Sequence, residues 1–134
     1  MNMQTNTESP IVSRISCVIV WSRNLEKSVT MYRKLFRLTP EQETAYPENN
    51  LHVMRLPDGG EIMIDANGMD QVPVPDKAPP LFFIPANDID QAAAFVESIG
   101  FSLVYGGIIH GGPVSFFNMR DDDFNVITVC QTHH

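Results

Sequence analysis

The sequence predicts an α+β fold built from two tandem βαβββ modules. Three observations carry this. "ISCVIVWSRNLEKSVTMYRKL" at 15–35 and "PLFFIPANDIDQAAAFVESIG" at 80–100 each run from a β-rich stretch straight into an amphipathic helix. Their helix-capping residues, Asn24 and Asp88, stand 64 positions apart. "PDGGEIMI" at 57–64 and "DDFNVITV" at 122–129 are each a turn followed by a short apolar strand, at an offset of 65.

The first module opens on "SCVIVW", rich in β-branched residues as a buried strand should be. Asn24 is the expected N-cap. Leu25, Val29, Tyr32 and Phe36 then fall on one helix face, and Pro40 follows where the helix must stop. A weak strand near Thr44 and a stronger one in "NLHVMRL" at 50–56 precede the "PDGGEIMI" turn and strand.

The second module opens on "LFFI". Asp88 followed by Gln91 three residues later is similar to a capping box. Ile89, Ala92, Ala93 and Val96 form the apolar stripe of its helix, and Gly100 is placed to end it in a left-handed conformation. "FSLVYGG" at 101–107 and "PVSFFNM" at 113–119 are the next strands, with His110 in a glycine-flanked loop between them. His133 and His134 are expected to fray.

The expected organisation is a flexible arm at 1–12 and one domain at 13–134. Within it lie module one at 13–70, a linker at 71–80 and module two at 81–131. The linker "QVPVPDKAPP" carries four prolines, each lacking an N–H and fixing its own φ, so it should be stiff.

Bulk properties narrow the function classes. At 134 residues the chain can bury a real core, and 43% hydrophobic residues against 19% charged exclude a disordered chain. A net charge of −7 argues against a non-specific grip on nucleic acid. Cys17 and Cys130 show no CxxC spacing, so neither a disulfide framework nor a zinc knuckle is expected; they suit a reduced, cytoplasmic protein. No apolar run reaches membrane-spanning length, and "MNMQTNTESP" lacks a signal-peptide layout. GxSxG, phosphate-loop, HExxH and dinucleotide motifs are absent from the sequence.

A duplicated βαβββ unit resembles the vicinal oxygen chelate superfamily, which holds glyoxalase I, extradiol dioxygenases, fosfomycin-resistance enzymes and bleomycin-binding proteins. The residues that carry the resemblance are "NLEKSVTMYRKL", "PDGGEIMI", "NDIDQAAAFVESIGF" and "DDDFNVITV", and it spans about 13–131. Two places depart from the pattern. Phe36 stands where the first helix would end on glycine, and Phe124 stands where the last turn would have one. The resemblance implies curved mixed sheets forming a cup, helices on the convex side, and in the enzymes a metal held by His, Glu or Gln from the first and last strands of each module. The corresponding positions here are Cys17, Met63, Leu81 and Thr128. A thiol, a thioether, an alkyl group and a hydroxyl are a poor set for a hard or borderline divalent ion, so neither metal nor cofactor is expected.

Strand alternation sorts the remaining side chains. Val18, Val20, Ile62, Ile64, Phe82, Ile84, Ile127 and Val129 share one parity and form the expected core face. The other parity carries Cys17, Trp21, Glu61, Met63, Asp65, Phe83 and Thr128, and with His52 these are the candidate ligand-binding residues. No catalytic residue is assigned. The expected function is metal-free binding of a small organic molecule by a homodimer, in the manner of antibiotic or toxin sequestration. One alternative is a glyoxalase-like lyase, isomerase or dioxygenase with a metal relocated to His52, Glu61 and His110. Another is a protein-contact or regulatory module. Arg55 is the one cation near the candidate site and is expected to face away from it.

Overall fold

β1 (Val18–Trp21) leads through Asn24 into α1 (Leu25–Phe36), and the chain then forms β2 (Glu43–Tyr46), β3 (Leu51–Arg55) and β4 (Glu61–Asp65). The pattern repeats with β5 (Pro80–Pro85), α2 (Ile89–Ile99), β6 (Ser102–His110), β7 (Val114–Arg120) and β8 (Val126–Thr132). This is a computed structural model of the chain, and it describes residues 9–133. Residues 1–8 of the expected arm and His134 lie outside the described residues.

Each module is one four-stranded mixed sheet, in the orders β1-β4-β3-β2 and β5-β8-β7-β6. The first strand of each pairs in parallel with the last, and the other pairs are antiparallel. A parallel partner requires a crossover, which the helix supplies. The two sheets match in register: Val18 lies opposite Ile62, and Phe82 opposite Ile127.

Local chemistry sets the helix ends. The Asn24 side chain accepts from the Lys27 N–H at 3.2 Å, and Asp88 accepts from the Gln91 N–H at 2.9 Å, one arm of the expected box. Phe36 stays helical, and Arg37 takes a left-handed turn at φ 51°, whereas Gly100 ends α2 at φ 127°, a wider positive φ. Phe124 does occupy a glycine's conformation, at φ 63°, with the Arg120 guanidinium 5.0 Å above its ring.

The core face is as alternation expects. Val20, Ile62, Ile64, Ile127 and Val129 are buried in one hydrophobic cluster shared by both modules, with Val18, Phe82 and Ile84 packed against it. The helices cover this side of the sheets; Tyr32 of α1 meets Phe101 edge-on, with ring centroids 5.5 Å apart. β6 runs longer than expected. A bulge between Val104 and Ile109 absorbs Tyr105, Gly106 and Gly107, all at positive φ, so pairing with β7 resumes. His110 therefore ends a strand instead of riding in a loop. His133 is tied down too: its N–H donates to Pro113 O, and its Nε2 lies 2.7 Å from Ser115 Oγ.

Candidate functional site

The face of each sheet away from the helices is the candidate site. In module one Ile19, Met63, Val53 and Thr44 form one cross-strand row, and Trp21, Asp65, Leu51 and Tyr46 form the next. Trp21 is 39% exposed there although its neighbours on both sides, Val20 and Ser22, are fully buried. In module two Phe83, Thr128, Asn118 and Val104 form a row, and Phe83 is 68% exposed. Large exposed aromatic surface on a sheet face is unusual enough to mark a contact site.

Two of the charges on this face, Arg55 and Asp65, are engaged by neighbours. Arg55 lies opposite Glu61, so it faces the site and does not turn away as the sequence suggested. Its guanidinium donates to Thr44 Oγ1 at 2.9 Å and to Glu41 O at 2.8 Å. The Asp65 carboxylate accepts from the Asn67 N–H and side-chain amide, at 2.9 and 2.8 Å.

His52 does not join this face. It stands in the row of Val20 and Ile64, on the helix side, because β3 pairs His52 with Ile64. It is nearly buried, with Nε2 2.7 Å from Glu43 Oε1. Glu43 in turn receives two bonds from Arg33 of α1, at 2.7 and 2.9 Å. The Arg33 guanidinium, with help from His52, holds the Glu43 carboxyl below its usual value against the opposing effect of burial. This trio pins α1 to the sheet.

The four positions implied for a metal do not fit one. Cys17 precedes β1, and Leu81 sits at the irregularity between Pro80 and Phe82. Thr128 is buried with its hydroxyl donating to Asn118 Oδ1 at 2.7 Å, so it is already engaged. The relocated set also fails to converge: His52 lies on the helix side, Glu61 on the opposite face, and His110 in the other module, 3.6 Å from Asp90. Among the described residues no group of three His, Cys, Asp or Glu side chains is placed to hold a metal ion.

Sequence reading missed a polar seam joining the modules. The β7–β8 turn closes on β1 and α1. Asn125 Oδ1 accepts from the Trp21 N–H at 3.2 Å, and Asn125 Nδ2 donates to Trp21 O at 2.6 Å. Asp123 accepts from Arg23 N–H and Nη1, at 2.9 and 3.1 Å. The Tyr32 hydroxyl donates to Asp121 Oδ2 at 2.7 Å. Asp121 is almost fully buried; burial pushes its carboxyl above the usual value against hydrogen bonds from Asn125, Tyr32 and Asp123 that pull it down. Burial first, and then the Asp121 charge, hold the Tyr32 phenol well above its ordinary value. The local signal for this seam was the Asp121–Asp123 turn, whose Asx geometry a D-x-D-x-N run favours. Arg23 also donates to Val72 O and Pro73 O, which anchors the linker. Trp21 and Leu81 meet beside that linker at a cavity of about 240 Å³.

No protein-family model and no curated protein sequence matches the chain. Solved structures do. FosX, a fosfomycin resistance protein from Listeria monocytogenes, superposes with a TM-score of 0.72 at 11% identity, over 92% of this chain and 96% of that one. A glyoxalase/bleomycin resistance protein from Albidiferax ferrireducens gives 0.65 at 23% identity, over 87% and 98%. A glyoxalase/bleomycin resistance protein/dioxygenase family enzyme from Burkholderia phytofirmans gives 0.65 at 13%, over 88% and 98%. At these identities the likeness is one of fold. Among the described residues no helix is long and apolar enough to cross a membrane.

Proposed function

We propose that this chain, which has the fold of the vicinal oxygen chelate superfamily, binds a small organic molecule without a metal on the helix-free faces of its sheets. The observation that carries the reading is the contrast at the candidate site. Positions where a metal enzyme of this fold needs imidazole or carboxylate hold Cys17, Met63, Leu81 and Thr128, while Ile19, Trp21 and Phe83 present exposed apolar and aromatic surface. The binding set is Cys17, Trp21, Glu61, Met63, Asp65 and Phe83, with Arg55 added, His52 removed by its position in β3 and Thr128 removed by its burial against Asn118.

Sequestration of an antibiotic or toxin is the form of binding this reading favours, and the fosfomycin-resistance and bleomycin-resistance names among the similar structures support it. A homodimer would bring exposed Trp21 and Phe83 from two chains into enclosed pockets, which a single open face does not provide. Two free cysteines fit a cytoplasmic setting. The test is elemental analysis of purified protein paired with a calorimetric screen of flat and apolar small molecules. Saturable binding by metal-free protein, weakened on Trp21→Ala, is the expected result. A retained equivalent of zinc, nickel, manganese or iron that binding requires would overturn the reading.

A further inference from the structure

The two modules are related by a near-repeat, with offsets of 64 before the second strand and 65 after it, confirmed by the paired registers Val18–Ile62 and Phe82–Ile127. The fold therefore has two seams. In one, the β7–β8 turn of module two meets β1 and α1. In the other, the β3–β4 turn of module one meets β5 and α2. The first seam is sewn shut by Tyr32–Asp121, Trp21–Asn125 and Arg23–Asp123.

Every one of those pairs loses its chemistry in the second seam. Val96 stands for Tyr32 and Leu56 for Asp121, so a buried hydroxyl–carboxylate pair becomes two alkyl groups. Pro85 stands for Trp21 and has no N–H; Gly60 stands for Asn125 and has no side chain. Asn87 stands for Arg23, leaving Asp58 without the counterpart of Asp123's cation. Among the described residues no hydrogen bond joins the 56–60 turn to β5 or α2. The second seam instead holds an open groove of about 510 Å³, more than twice the cavity at the first. Leu56, Pro85 and Val96 line it, together with Phe83, Ala92 and Phe95.

We propose that this groove, which wraps the β5 edge from Phe83 and Pro85 to the helix side, is a second binding site, separate from the Trp21 face of module one, for a neutral and mainly apolar small molecule. Its volume lies within the range of small-molecule sites. Its lining is apolar apart from Asp58, the one charged side chain there, which disfavours an anion. Arg37 sits 5.3 Å over the Phe95 ring and is engaged by it. A second copy of the chain fits less well: fourteen residues line the groove, short of the roughly 20–30 on each side of a stable protein interface. The proposal shares Phe83 with the sheet-face reading and otherwise rests on residues that reading does not use.

The probe is N-phenyl-1-naphthylamine, a neutral aromatic whose fluorescence rises in apolar surroundings. Wild-type protein labelled with ¹⁵N is titrated with it, and amide shifts are mapped. Saturable shifts at Leu56, Asp58, Gly59 and Phe95, with those at Ile19 and Met63 still, are expected. Ala92→Met, which extends a flexible side chain into the groove, should weaken the fluorescence titration by about tenfold or more, or 1.4 kcal/mol and upwards. The proposal is overturned by shifts confined to the Ile19–Met63 face or by no binding up to the probe's solubility. It is equally overturned if a folded Ala92→Met protein titrates unchanged, or if rising protein concentration expels the probe, since a second copy then owns the groove.

Discussion

The Asn125 side chain grips the backbone of Trp21 from both directions, accepting from its N–H at 3.2 Å and donating to its carbonyl at 2.6 Å. β1 pairs with β4 on its other edge, so Asn125 acts as a one-residue substitute for a neighbouring strand. Module two thereby fixes the backbone that aims Trp21 at the candidate site. Asn125 is itself held by Asp121, through its own N–H at 2.9 Å and its Nδ2 at 2.8 Å.

Asn125→Ala should cost about 2–3 kcal/mol, because it leaves a buried Asp121 oxygen short of a donor and strips two partners from Trp21. Urea denaturation followed by Trp21 fluorescence measures both parts, since Trp21 is the chain's one tryptophan. A stability change under about 0.5 kcal/mol would mean that water replaces the grip without loss.

The Glu43 trio predicts a pH dependence. The Glu43 carboxyl is held below its ordinary value, chiefly by Arg33. A lowered folded-state value means that stability from this group is present above the unfolded value of 4.5 and is lost as pH falls through the folded one. Arg33 is substantially exposed, so solvent screening limits the gain to about 1 kcal/mol or less. Wild type should melt above Glu43→Gln at pH 7, and the gap should narrow as pH falls below 4.5. A gap that widens on acidification would contradict the assignment.

How far the sequence could be read follows from the range of each interaction. The module repeat and the core face were legible, because period-two alternation and capping residues are local. The face of His52 was not. Which parity of "NLHVMRL" points inward depends on β3 meeting β4 as His52 opposite Ile64, and one step of register reverses it. Arg55 was misjudged for the same reason. The Trp21–Asn125 grip joins residues 104 positions apart, and no local pattern announces such a pair.

The free protein should be a homodimer holding no stoichiometric divalent metal. Trp21, Leu81 and Phe83 leave too much apolar surface open on the first strand of each module for an isolated chain. Sedimentation equilibrium at roughly tens of micromolar checks the first claim, and elemental analysis after dialysis checks the second. A single monomeric species would remove the argument that two chains enclose the pocket.

The selectivity of the helix-free face is the sharpest test of the proposed binding. Trp21 supplies an exposed aromatic plane, and Ile19 and Met63 supply apolar surface in the adjoining row. Glu61 and Asp65 alone would favour a cation. Yet Arg55 stands opposite Glu61, and the Asp65 carboxylate is hydrogen-bonded by Asn67, so only one of the two negative charges lacks a facing cation. Stacking should therefore outweigh charge. Against a panel of flat aromatic compounds, Trp21→Ala is expected to weaken binding by about 1–2 kcal/mol, the scale of an aromatic or cation–π contact. Glu61→Gln should change it by less than about 0.5 kcal/mol, because Glu61 is exposed and screened, and less again at high salt. Cationic members of the panel should gain little over neutral ones. If Glu61→Gln proves the more damaging change, or if Trp21→Ala leaves calorimetric affinities intact, the ligand does not stack on this face and the proposed site is misplaced.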